Sequence, residues 1–238
     1  MSEQQSQGEA GRNKSGLVIA VDGPAASGKG TIARAIAAHF NLPHLDTGTL
    51  YRSVALNLWR WGGDPSSEFE ALRACEDIGA CCDDPELRSE AVGTIASRIS
   101  TYSSVRSALL ERQRRFAAQP GGAVLDGRDI GTVIVPDADV KLFITASPEV
   151  RAERRLKELL KRGMNAHLED VLNDIRSRDE RDSGRLAAPL TQAEDAMLLD
   201  TSELDVDQAI AQAIAIVDRL GSQDQGFRCT DRISADRQ

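Results

Sequence analysis

The run Gly23-Pro24-Ala25-Ala26-Ser27-Gly28-Lys29-Gly30-Thr31 has the composition of a cradle for a chain of phosphates. Its glycines let successive backbone N–H groups turn toward an anion, and Lys29 supplies a mobile point charge for the outer phosphates. An apolar stretch, Leu17–Asp22, precedes it, and an Ala/Ile-rich stretch starts near Gly28. A helix beginning there points the positive end of its dipole at the same place. The usual hydroxyl straight after the lysine is replaced by Gly30, and Thr31 follows one position late. This loop establishes a nucleoside triphosphate site without naming a second substrate.

Other chemistry-bearing segments narrow the choice. A regulatory GTPase needs a base-reading Asn-Lys-x-Asp segment, which the chain lacks, and a motor-type ATPase would be longer. A small kinase must bind an anionic acceptor and so needs a second set of arginines. Asp46-Thr47-Gly48-Thr49-Leu50-Tyr51-Arg52 offers one, with Arg52 as a fork for a phosphate and Tyr51 as a ring and hydroxyl beside it. Asp126-Gly127-Arg128-Asp129-Ile130-Gly131-Thr132 sets two aspartates around an arginine between glycines, a combination foreign to a core. Arg128 suits an acceptor phosphate, and Asp129, an acceptor-only group, suits a base amino group. Arg151, Arg154 and Arg155 share one helical neighbourhood, and Arg178-Asp179-Glu180-Arg181-Asp182-Ser183-Gly184-Arg185 repeats charge at similar spacing. Such runs are ordinarily solvated faces. Here a transferring phosphoryl group would need charges that close over it.

The elements that must hold these groups alternate. Five apolar runs read as strands covered on both faces: Leu17–Asp22, Leu42–Asp46, Ala123–Asp126, Val140–Thr145 and Ala196–Asp200. Helices are expected over 28–39, 47–61, 148–162 and 205–220, the third opening with Ser147-Pro148-Glu149. Strands alternating with helices predict a doubly wound five-stranded parallel sheet, an α/β fold built on a phosphate loop. The catalytic segments then sit at the carboxyl ends of strands, where such sheets bind ligands. Helical additions are expected over about 62–118 and about 148–190 of a single domain, 17–220. Residues 1–16 and 221–238 read as disordered tails.

Composition sets bounds. The chain has 238 residues, a net charge of −8 and 41% hydrophobic residues, enough for a sizeable core. Its acidity argues against a general nucleic-acid binder. No apolar stretch approaches the ~20 residues of a membrane span, and no secretory signal is read. Cys75, Cys81, Cys82 and Cys229 form no C-x-x-C pair and lie near no suitably spaced histidine, so no zinc site is expected. A reduced cytoplasmic protein is expected. Arginine outnumbers lysine 24 to 5, a global bias that genomic base composition explains, so the informative part is where the arginines cluster, their forks suiting phosphate and carboxylate.

In order and spacing the segments resemble the bacterial cytidylate kinases, a family of nucleoside monophosphate kinases. The resemblance covers about residues 17–220 and includes Val21-Asp22-Gly23-Pro24, the Gly-Lys-Gly-Thr ending of the phosphate loop, Ala188-Pro189-Leu190 and Asp200-Thr201. It is most specific where Asp126–Thr132 combines with Asp46–Arg52. It implies transfer of the γ-phosphoryl group of ATP to CMP or dCMP, with Mg²⁺. It further implies that Gly23 to Thr31 bind ATP, that Arg52 and Arg128 hold the acceptor phosphate, and that Thr47 and Tyr51 lie in the same acceptor site. Ser97, Arg106 and Asp129 match cytosine-reading positions. Arg178 and Asp182 match pentose positions, Arg185 a further pocket arginine, and Arg151, Arg154 and Arg155 a lid. With Thr31 displaced, phosphates and water are expected to supply most Mg²⁺ ligands, Thr31 being the one candidate side chain. A monomer is implied. The segment 62–88 departs from the family by lacking the strand pattern of a small three-stranded insert. A kinase for another acceptor, such as UMP, AMP or shikimate, and a nucleotide-binding module without turnover are the competing readings.

Overall fold

The computed structural model describes residues 16–76, 78 and 84–230. The strands β1 (Leu17–Asp22), β2 (His44–Asp46), β3 (Gly122–Gly127), β4 (Val140–Thr145) and β5 (Met197–Asp200) form one all-parallel sheet in the order β2-β3-β1-β4-β5. Central strands of a parallel sheet are covered on both faces, which explains apolar runs without alternation. Ile19, Val21 and Val124 pack against α1 (Lys29–His39) and α8 (Val206–Thr230). Val18, Ala20, Ala123 and Leu125 face the other way. There they meet α5 (Ser103–Ala117) and a wide helical turn over Ile130–Ile134. Only at their carboxyl ends do β1 and β3 carry charge, in Asp22 and Asp126.

The sequence reading holds with small shifts. β2 starts at His44 rather than Leu42, because the Leu42 N–H bonds back to Ala37 O at 2.8 Å and Pro43 has no N–H to give a ladder. β5 starts one residue late because Ala196 N–H closes a turn on Ala193 O. α6 (Pro148–Lys161) opens as expected, with Ser147 Oγ accepting from Val150 N–H at 3.3 Å. α8 runs on to Thr230, into the segment expected as a tail. Residues 1–15 and 231–238, the remainder of the two expected tails, and Cys81 and Cys82 lie outside the described residues.

Two helical units flank the carboxyl edge of the sheet. The helices α2 (Thr47–Arg60), α3 (Glu68–Arg73), α4 (Glu90–Ile99) and α5 enclose a core that includes Leu50, Val54, Leu58, Val92, Ile99, Val105 and Leu109. Among the described residues no strand interrupts 62–88. α6 and α7 (Leu168–Ser183) pair as a hairpin over Ala152, Leu159, Val171 and Ile175. The chain leaves β1 for the β2 edge, returns to β3 and then crosses β1 to β4. That reversal opens a crevice above β1 and β3, between the helical units.

Candidate active site

The phosphate loop is built on unusual backbone. Gly23 has φ +150°, and a Cβ there would stand 2.0 Å from Ile144 O, so the exit from β1 admits no side chain. Gly28 is left-handed at φ +87° and starts α1, its carbonyl accepting from Thr31 and Ile32 N–H. Ala26 is left-handed too, at φ +59°. Such a conformation costs a non-glycine residue about 1–3 kcal/mol and persists where surroundings impose it. Gly23 and Pro24 form the bend, while Ala25 to Thr31 line the cleft. Ser27 Oγ is buried with no hydrogen-bond partner.

Lys29 stands at the floor, half-buried. Burial, and then the Arg128 guanidinium, lower its pKa from 10.5 to about 8, against the pull of Asp126, Asp46 and Asp182. A triphosphate beside the ammonium would restore its proton. Triphosphate affinity is therefore expected to fall as pH climbs through about 8, by up to roughly tenfold per pH unit. Calorimetry near pH 9 in buffers of different ionisation enthalpy should register uptake approaching one proton; zero uptake would mean that Lys29 does not face the phosphates.

The β3 end enters the same cleft. Asp22, nearly fully buried, accepts from Ile130 and Gly131 N–H, both at 2.8 Å, and so clasps the Asp126–Thr132 turn to β1. Burial raises its pKa to about 6 despite those two donors. Arg128 Nε donates to Asp182 Oδ2 at 2.8 Å, and Arg185 Nη2 donates to Asp182 Oδ1 at 2.5 Å. Burial alone would raise the Asp182 pKa; Arg128 and Arg185 outweigh it and hold the carboxylate below its usual range. Both Asp182 oxygens are thus engaged by guanidiniums, while Arg185 Nε is buried without a hydrogen-bond partner. Asp129 is paired with Arg106, both buried, and the Arg106 guanidinium lies 5.9 Å from the Tyr51 ring centre. Burial raises the Asp129 pKa, with Arg106, Arg185 and Arg128 opposing. Burial likewise pushes the Tyr51 hydroxyl up to about 12, so it stays a neutral donor.

Arg52 lines the cleft, and its Nη1 donates to Leu87 O at 2.8 Å. Burial, then the nearby Arg178 and Arg155, hold its pKa below the usual arginine range. Three guanidiniums from α2, α6 and α7 thus crowd together. Glu90 at the start of α4 tempers them, pairing with Arg155 and lying 3.8 Å from Arg178. Thr47 Oγ1 donates to Asp126 O at 2.8 Å, tying α2 to β3. Ser97 Oγ accepts from Arg181 Nε at 3.4 Å at the cleft wall.

The three α6 arginines separate. Arg155 lines the cleft. Arg151 and Arg154 lie behind the phosphate loop: Arg151 Nη1 donates to Ala25 O at 3.2 Å and the side chain grips Asp179, while Arg154 donates to Ser27 O and to the side chain and carbonyl of Thr201. They brace the loop backbone rather than face the cleft. All the other sequence candidates from residue 47 onward line the one cleft, where cations outnumber carboxylates although the chain is acidic.

A cation accompanying a triphosphate finds oxygen donors only. Thr31 is exposed, and its Oγ1 accepts from Arg34 Nη2 at 3.3 Å. Among the described residues no cluster of three or more His, Cys, Asp or Glu could hold a metal alone. Asp126 is the residue that motif reading quoted but assigned no role. The residue is buried, and Oδ2 lies 3.6 Å from where a Cβ on Gly30 would stand. An aspartate ending the strand beside the phosphate loop, with phosphate oxygens and water, is a donor set that suits a small hard divalent ion. The signal was present in the sequence: an acidic residue closing an apolar strand.

The family description cytidylate kinase matches residues 19–219. The chain is 59% identical over 203 residues to a cytidylate kinase of Xanthobacter autotrophicus, covering 85% of this chain and 97% of that one. It is 56% identical over 204 residues to a cytidylate kinase of Azorhizobium caulinodans, covering 85% and 98%. Among solved structures, a gluconokinase from Sinorhizobium meliloti superposes with a TM-score of 0.53 at 14% identity, over 91% of this chain and 99% of that one, a likeness of fold alone.

Proposed function

The chain belongs to the cytidylate kinase family, and from that premise we propose how its cleft works as an ATP-dependent (d)CMP kinase. The γ-phosphoryl group of ATP passes to the phosphate of CMP or dCMP, giving ADP and CDP or dCDP. The reading is carried by one juxtaposition: Lys29 on the phosphate loop and Arg128 at the end of the neighbouring strand line a single cleft, their charges close enough to perturb one another. Two phosphate groups held there would face each other across the crevice.

Residues 23–31 wrap the triphosphate with backbone N–H groups, and Lys29 follows the charge of the outer phosphates. Arg52 and Arg128 grip the acceptor phosphate, and Arg155 closes over the transferring group from α6. Such a transfer needs positioning and charge neutralisation more than covalent help, so no protein base is required. Mg²⁺ brought with ATP would be held by phosphate oxygens, water and Asp126, and would supply further neutralisation of the developing charge. Asp129, Arg106 and Ser97 form the cytosine wall, and Tyr51 lies under Arg106 beside the acceptor. Arg178, Asp182 and Arg185 line the pentose side. Asp182, already held by two guanidiniums, orients Arg128 as well as meeting the sugar. The helical segments 62–118 and 148–190 serve as the acceptor-binding part and the lid; closing them excludes the water that would otherwise take the phosphoryl group. No helix among the described residues is long and apolar enough to cross a membrane. The proposal places the enzyme in the cytoplasm as a monomer.

The test is ADP formation from ATP and Mg²⁺ with CMP, dCMP, UMP, AMP, GMP, TMP and shikimate in turn. CMP and dCMP should lead by at least about tenfold over the next acceptor, the worth of one hydrogen bond to a charged group. A lead by another acceptor would discard the cytosine wall and keep the ATP site.

A further inference from the structure

We propose that His44 is a positioning residue for the cation that accompanies ATP. It holds Asp126 so that the second carboxylate oxygen faces the phosphate loop. In the parallel register His44 lies across from Val124 and Asp46 across from Asp126, so His44 and Asp126 are diagonal neighbours on one face of the sheet. His44 Nε2 stands 2.7 Å from Asp126 Oδ1. The carboxylate only accepts, so Nε2 carries the proton of this bond. Both side chains are largely withdrawn from solvent, at 16% and 3% exposure.

The bond is not needed to hold the strands. The β2–β3 ladder and the Thr47 Oγ1 bond to Asp126 O already fix the backbone. What His44 fixes is the carboxylate plane. With Oδ1 engaged, Oδ2 is left toward the α1 end of the phosphate loop, 3.6 Å from where a Gly30 Cβ would be. That is the position at which this loop lacks its usual hydroxyl. A loop without that hydroxyl leans on its aspartate, and an aspartate with one oxygen tied is oriented in advance. Side chains that orient a metal-facing carboxylate in this way are typically worth roughly ten- to a hundredfold in metal affinity.

The inference rests on the ATP site proposed above and not on the acceptor. It is tested on the full chain by calorimetry with a non-hydrolysable ATP analogue, in Mg²⁺ and in EDTA. His44→Leu should lose roughly ten- to a hundredfold of the Mg²⁺-dependent gain in affinity, with the metal-free affinity within about twofold of the unaltered chain. His44→Gln, whose amide N–H falls near the Nε2 position, should restore most of the gain. His44→Ala replaces the leucine variant if thermal melting shows leucine to be poorly accommodated. An undiminished Mg²⁺ gain in the apolar variant, equal losses with and without metal, or a glutamine variant no better than leucine would each overturn the role. Failure of the unaltered chain to bind the analogue would overturn the ATP site itself; a changed acceptor preference would leave this inference standing.

Discussion

Lys29→Ala is expected to lower phosphoryl transfer by roughly 10³- to 10⁵-fold, the range seen when a positioned cation is removed from a phosphoryl-transfer site. The fold should survive. The protein surroundings already disfavour the charged lysine, since burial heads the causes that bring its pKa to about 8. At neutral pH that depressed pKa is a cost to the folded state, absent from the alanine variant, so the melting temperature should hold or rise. Both measurements are needed. Near-normal turnover would remove Lys29 from the reaction, whereas lost turnover with a lowered melting point would reduce the result to misfolding.

Asp129→Ala combines two large effects because of where the carboxylate lies. It leaves the buried Arg106 guanidinium without the carboxylate it pairs with. Removing one member of a buried ion pair typically costs about 3–5 kcal/mol, which for a domain of this size lowers the melting temperature by roughly 10 °C. Measured well below that transition, the KM for CMP should rise about ten- to a hundredfold, as for a lost hydrogen bond to a charged group, while the KM for ATP changes little. Asp129→Asn keeps the shape and an acceptor oxygen, and should recover much of the stability but not the acceptor affinity. Equal losses for CMP and ATP would show that Asp129 supports the cleft as a whole and does not face the base.

The parts of this site that are contiguous in the chain were legible in the sequence. The loop from Gly23 to Thr31 carries its chemistry in nine consecutive positions, and β1, β3 and β4 are predominantly apolar runs, so their extents came out within a residue or so. What was not legible depends on long-range partners. Asp22 clasps backbone N–H groups 108 and 109 residues away, and no local pattern marks an acid for that task. His44 and Asp126 become neighbours only through the register of β2 against β3. The α6 arginines show the limit most directly. Helical spacing groups Arg151, Arg154 and Arg155, but which of them meets the cleft depends on how the helix is rotated against the phosphate loop. Periodicity says nothing of that rotation.

The two arginines behind the loop turn α6 into a lever. Its fulcrum is the first turns, where Arg151 and Arg154 hold the carbonyls of Ala25 and Ser27. Its arm is the rest of the helix, Arg155 to Lys161, about 10 Å long at 1.5 Å per residue. A tilt of about 5° at the fulcrum carries the far tip through about 1 Å. Small shifts of the loop backbone are therefore multiplied at the mouth of the cleft. By the same geometry, a load on the tip is returned, at mechanical advantage, to the backbone that grips the phosphates.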